Sequence, residues 1–220
     1  MGYSLVFGDL LPYWEVLLHG LIFTIVLTLV STVAGIGLGT LGASGRTFGP
    51  RWLDWLIGAY VEVIRNTPFI VQLFFIFFGL PSLGVKLTPE VASVIAMVVN
   101  LGAYAAEIVR AGIENTPRGQ IEAARSLAMN EWQVFTRVVL PPALGRVWPA
   151  MVSQIVIVML GSAVCGQIAA QELSYAANLI ASRNFRGFES YLIATAVYLA
   201  LAVFIRQVLN WAGPRFIFGR

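Results

Sequence analysis

The chain has 220 residues, 58% of them hydrophobic and only 11% charged, with a formal net charge of +3. Soluble domains carry about 25% charged residues, so a water-soluble globular enzyme is excluded and an integral membrane protein is indicated. The small positive balance fits basic residues at membrane edges and implies no nucleic-acid partner.

Five apolar runs reach the ~20 residues that cross a hydrocarbon core. The first covers roughly Leu17 to Leu41. Residues 1–13 hold no Lys or Arg and the run is too long for a signal-peptide core, so the first span is expected to be retained. Gly35 and Gly39 form a GxxxG pair, which lets helices approach closely. Packing within the subunit is the expected use, and a subunit interface the alternative. His19, near the outer end, reads as an interfacial side chain rather than a ligand. The chain has one His and one Cys. A metal site is therefore not expected, and Cys165 is expected to pack as a small apolar group.

The second run covers roughly Leu53 to Leu80 and holds Glu62, Arg65, Thr67-Pro68 and Gln72. Glu62 and Arg65 are three apart and can pair; Gln72 falls near the same stripe. Two placements of Arg65 stay open. A span starting at Trp52 puts it near mid-membrane. A segment Trp52 to Val61 lying along the inner surface puts it at the cytoplasmic edge. In the third run, roughly Val91 to Arg110, Thr88-Pro89-Glu90 reads as N-cap, first turn and dipole-favoured acid. Asn100, Tyr104 and Glu107 share one face, with Arg110 in reach of Glu107.

A polar interval, residues 114–142, follows. Thr116 is expected as N-cap and Pro117 as first helical residue. Asn130 and Gln133 have capping-box spacing for a second short helix ending at Leu140-Pro141-Pro142. The fourth run, roughly Val147 to Ala170, carries Ser153, Gln154, Ser162 and Gln167. Gln171 to Glu189 is polar and reads as an outer segment with room for a short helix. The fifth run is roughly Tyr191 to Trp211.

Ten basic residues fall on one side: Arg46, Arg51, Arg110, Arg118, Arg125, Arg137, Arg146, Arg206, Arg215 and Arg220. Lys86, Arg183 and Arg186 fall on the other. The positive-inside rule then places the polar interval and C-terminus in the cytoplasm and the N-terminus outside.

Gly42-Ala43-Ser44-Gly45-Arg46-Thr47 lacks the spacing and Lys of a phosphate loop, and no nucleophile with its base is evident. The chain reads as a pathway, not an enzyme. Polar groups inside spans are costly and become site candidates by default: Glu62, Arg65, Gln72, Asn100, Tyr104, Glu107 and Gln154.

Glu122-Ala123-Ala124, Ala128 and Val138-Val139-Leu140-Pro141 resemble the EAA loop of ABC-importer permeases. Arg65 to Phe75 (RNTPFIVQLFF) and Gly102 to Arg110 (GAYAAEIVR) resemble the polar-amino-acid branch. The likeness runs from about Trp14 to Phe216. It implies an all-α integral membrane protein with the MetI-like, type I ABC-importer permease fold: one domain, residues 1–220, five spans, in a bacterial inner membrane. It implies no cofactor of its own. The implied partners are a dimer of ATP-binding cassette subunits, a second permease (identical or sister), an extracytoplasmic amino-acid-binding protein and membrane lipid. It gives Glu122, Ala123, Ala124, Ala128, Leu140 and Pro141 to the ATPase-coupling loop.

Two departures stand out. The family usually has Gly at Ala128, where either Ala takes a strained left-handed turn or the turn moves onto Met129-Asn130. Relatives often have a polar pair such as Lys-Asp at Leu160-Gly161, so a charge is missing from the implied pathway. Another solute (methionine, an opine, a peptide) and an ATP-independent channel or carrier remain as alternatives.

Overall fold

The computed structural model describes residues 5–213 and 215; Phe216 and Arg220 lie outside them. These residues are mostly helical, with no strand among them. A short 3-10 turn, Gly8–Tyr13, leads into α1 (Trp14–Phe48). Then follow α2 (Arg51–Arg65), α3 (Phe69–Ser82), α4 (Pro89–Glu114), α5 (Arg118–Ser126), α6 (Glu131–Ile168), α7 (Leu173–Asn184) and α8 (Gly187–Ala212). Four of these, α1, α4, α6 and α8, are long and apolar enough to cross a membrane alone, and α2 with α3 makes a fifth span if the bent pair counts as one.

α1 and α4 form the spine. Gly35 and Gly39 allow it: a Cβ on Gly39 would lie 2.5 Å from Ala105 Cβ, and one on Gly35 2.9 Å from Leu101 Cβ. The GxxxG pair thus serves packing within the subunit. The outer core gathers Leu27, Leu73, Met97, Leu101 and Val158, and Cys165 packs there as a small apolar group. The inner core gathers Ala43, Ala105, Val109, Phe135 and Val139. Thr88 caps α4 as expected, accepting from Val91 N at 3.4 Å.

The second run is not one helix. The chain turns 110° between α2 and α3. Pro68 disfavours helical geometry at Thr67 and lacks an N–H to donate. α2 buries Val61, with Ile57, Tyr60 and Ile64 beside it, against Ala103 and Ala106. It leaves Trp52, Trp55, Leu56 and Val63 exposed. The 110° break after Arg65 fits the second of the two placements of Arg65. Its guanidinium sits level with Tyr104 and Glu107 in the inner half of α4.

The helix beginning at Glu131 does not end at Leu140-Pro141-Pro142 but continues to Ile168. A π-helical stretch, Val134–Val139, precedes the prolines. Widening the coil there relieves the clash of a proline ring with the carbonyl four residues back. The polar loop is therefore shorter than expected, spanning Asn115 to Asn130 around α5.

Candidate functional site

α5 is preceded by Pro117, which occupies the N-cap position with Arg118 as first helical residue; the expected assignment was one residue early. Thr116 is instead buried, accepting from Arg146 Nη2 at 3.4 Å. Arg146 also donates to the Asn115 carbonyl, tying the loop's start to α6. The capping box forms as expected: Asn130 Oδ1 accepts from Gln133 N at 2.9 Å, and Gln133 Oε1 from Asn130 N at 3.0 Å. Arg125 lies against Glu131 at 2.9 Å.

Ala128 carries the turn itself, at φ +56°. A left-handed non-glycine residue costs about 1–2 kcal/mol, so the strained alternative is the one adopted. Glu122, Ala123 and Ala128 are exposed, whereas Ala124 is buried among Val134, Phe135 and Ala143. Its small size is required by the chain's own packing. Leu140 and Pro141 lie in continuous helix beyond the loop. Two large apolar side chains, one in the loop and one in the first turn of α6, stand out: Leu127 is 78% exposed and Trp132 70%.

Gln72 is buried and holds the bend closed. Its Nε2 donates to Ile64 O at 2.7 Å and Thr67 O at 3.0 Å; its Oε1 accepts from Asn100 Nδ2 at 2.9 Å. The break separates it from Arg65, so the two do not share a helical stripe. Glu62 does not pair with Arg65 either. It accepts from Asn66 Nδ2 at 2.9 Å, while Arg65 reaches Glu107 at 3.9 Å and stacks over Tyr104, 5.6 Å from the ring centroid. Glu107 gathers three guanidiniums: Arg110, Arg46 at 3.2 Å and Arg65. Arg46 also bonds Asp54 at 3.0 Å. One carboxylate thus joins the inner ends of α1, α2 and α4. Gln154 is buried in α6.

Between α3, α4 and α6 lies a cavity of about 140 Å³, lined by Phe69, Met97, Asn100, Ile157, Val158, Gly161 and Val164. Asn100 is the polar side chain in that lining, and no charge enters it. A Cβ on Gly161 would meet nothing within 4 Å, so the residue leaves space rather than serving a close approach. Asn100 and Gln72 are thus brought together with Gly161, Arg65 and Tyr104 with Glu107, and Glu62 with neither set.

The residues from 31 to 218 match the family model described as "Binding-protein-dependent transport system inner membrane component". The chain belongs to this family. Its members are the membrane permeases of ABC importers, which work with a separate ATPase and a substrate-binding protein. The permease is 31% identical over 215 residues to the "Probable glutamine ABC transporter permease protein GlnM" of Bacillus subtilis (strain 168), covering 98% of each chain. It is 37% identical over 172 residues to the "L-cystine transport system permease protein TcyB" of the same organism, covering 78% of this chain and 74% of that one. Among solved structures it resembles the "Crystal structure of an amino acid ABC transporter with histidines", with TM-score 0.87 and 32% identity over 97% of this chain and 100% of that one.

Sequence reasoning missed the outer carboxylates. Glu172 is fully buried and caps α7, accepting from Ser174 N at 2.8 Å, Tyr175 N at 2.7 Å and the Tyr198 hydroxyl. Glu189, also fully buried, accepts from Val6 N at 3.0 Å. An acid at an N-cap position, directly before Leu173-Ser174-Tyr175, was the available signal for the first.

Proposed function

We propose that this permease moves a polar amino acid with an uncharged side chain inward by alternating access, as one of two permease subunits, identical or sister. Relatives named for glutamine and L-cystine support an amino acid as cargo. The uncharged lining beside Asn100 and Gly161 supports a neutral side chain, because a buried charge without a partner is costly. On this reading the path passes Gln72, Asn100 and Gln154. The inner carboxylate–arginine cluster, Glu107 with Arg65 and Tyr104 alongside and Glu62 at its rim, changes partners between the two packings.

The loop Asn115 to Asn130, with the first turn of α6, is where the ATPase attaches, with Glu122, Ala123, Leu127 and Ala128 as the contact face. The carrying observation is the pair of exposed apolar side chains, Leu127 and Trp132, on an otherwise polar segment. Leu140 and Pro141 act at one remove, by continuing the loop's second helix into α6.

The test is reconstitution with the ATPase and binding protein, followed by substrate-stimulated ATPase activity and uptake over a panel of amino acids. Neutral polar amino acids are expected to stimulate; stimulation by lysine, arginine, aspartate or glutamate alone contradicts the neutral-cargo reading. Uptake into vesicles without any ATPase contradicts the mechanism.

A further inference from the structure

A second cleft, of about 410 Å³, opens at the other end of the bundle, between α1 and α7. Its walls are Glu15, Val16 and His19 on one face of α1, and Gln171, Tyr175, Ala176 and Leu179 at the start and along one face of α7. Its volume falls within the range of small-molecule sites. The floor has a definite cause. A Cβ on Gly20 would lie 3.0 Å from both Ala176 Cβ and Leu173 Cα, so the two helices touch there and diverge outward. The α7 wall is fixed from behind by the Glu172 cap and by Leu173 N donating to Thr24 Oγ1 at 3.2 Å.

Glu15 is the acidic side chain in this lining, and among the described residues no Lys or Arg lines it. Among the described residues it has no ion-pair partner, whereas Asp9 nearby in sequence is taken by Arg186 at 3.0 Å. An anion would meet the carboxylate unopposed. A bare divalent ion would find too few ligands, since no group of three His, Cys, Asp or Glu converges among the described residues. An ammonium or guanidinium suits the set. Such a group would donate to the Glu15 carboxylate and the Gln171 carbonyl, with the Tyr175 ring in the same lining as a cation–π partner.

We propose that this cleft is an outer cation site, taking an ammonium or guanidinium group held by Glu15, Gln171 and Tyr175. The group comes either from a free small molecule or from a basic side chain of the extracytoplasmic protein. The second source rests on the proposed importer function.

His19 makes the site readable. It is the single histidine of the chain and lines the cleft, so its imidazole resonances report occupancy. The permease alone is labelled on His, placed in nanodiscs and titrated with L-arginine, with L-glutamate, and with the binding protein. A His19 shift with L-arginine that weakens about two- to fivefold in Glu15→Gln and vanishes in Glu15→Lys supports the site with a free ligand. A shift with the binding protein alone, equally lost, supports a protein side chain as the source. Glu90→Gln removes an acid near the outer end of α4, outside the cleft, and is expected to leave either shift intact. The proposal is overturned by no His19 shift with either probe, by a shift that persists in Glu15→Lys, by loss in Glu90→Gln, or by the same shift with L-glutamate. The L-arginine arm needs no ATPase, so it stands apart from a failure of the importer reading.

Discussion

The two ends of the bundle hold their carboxylates differently. At the outer end Glu172 and Glu189 are fully buried, and backbone N–H groups of Ser174, Tyr175 and Val6 bond them, with the Tyr198 hydroxyl on Glu172 and Arg186 3.8 Å from Glu189 as side-chain partners. At the inner end Glu107 is a quarter exposed, and its partners are the side chains of Arg46, Arg65 and Arg110 on three helices. Backbone partners are fixed by the fold, whereas arginine side chains exchange at small cost in water. The outer end is held mainly by the backbone, and on the proposed function the inner end is the one that changes partners.

The largest expected effect lies at the outer end. Glu172→Ala leaves buried N–H groups and the Tyr198 hydroxyl without an acceptor, and loss of charge-assisted bonds there is expected to cost about 2–4 kcal/mol. Thermal melting of the purified permease reads it; an unchanged midpoint would erase the contrast between the ends. The inner end should respond less in stability and more in function. Glu107→Gln is expected to cost under about 1 kcal/mol, because the group is partly solvated and each pair is weak. A bias of that size still shifts two packings by about fivefold, so basal ATPase activity of the complex should change while melting barely moves. A change in melting as large as that of Glu172→Ala would make the two ends alike. The smallest effect sharpens the loop between them. Ala128→Gly relieves the left-handed turn but adds chain entropy to the unfolded state, leaving a net gain of up to about 1 kcal/mol. Denaturant unfolding checks it, and destabilisation would contradict the strained turn.

Much of this was legible in the residues. Apolar run lengths gave the spans, and Gly35 and Gly39 the close helix pair. Asn130 with Gln133 gave the capping box, because such a cap is local in sequence. What failed was non-local. The polar Arg65-Asn66-Thr67-Pro68 left a break open as one of two placements, but the size of the turn and the regrouping of Gln72 with Asn100 stayed hidden, because both depend on contacts with α4. Pro141-Pro142 reads as a stop, since the upstream π-helical stretch that absorbs the prolines has no composition of its own. Glu172 reads as a loop acid because its burial depends on Tyr198, 26 residues away. Ala124 is small for the chain's own core, which no helix propensity reveals. Substituting it would confound folding with docking, so the docking test moves to the exposed face.

That test is Leu127→Asp, measured by co-purification with the ATPase subunit and by substrate-stimulated ATPase activity. Leu127 is 78% exposed, so the permease alone should keep its stability within about 0.5 kcal/mol. A charge placed in a docked apolar contact should weaken attachment at least about tenfold and abolish stimulation. Full attachment and full stimulation in Leu127→Asp would contradict the loop as the point where the energy of ATP enters.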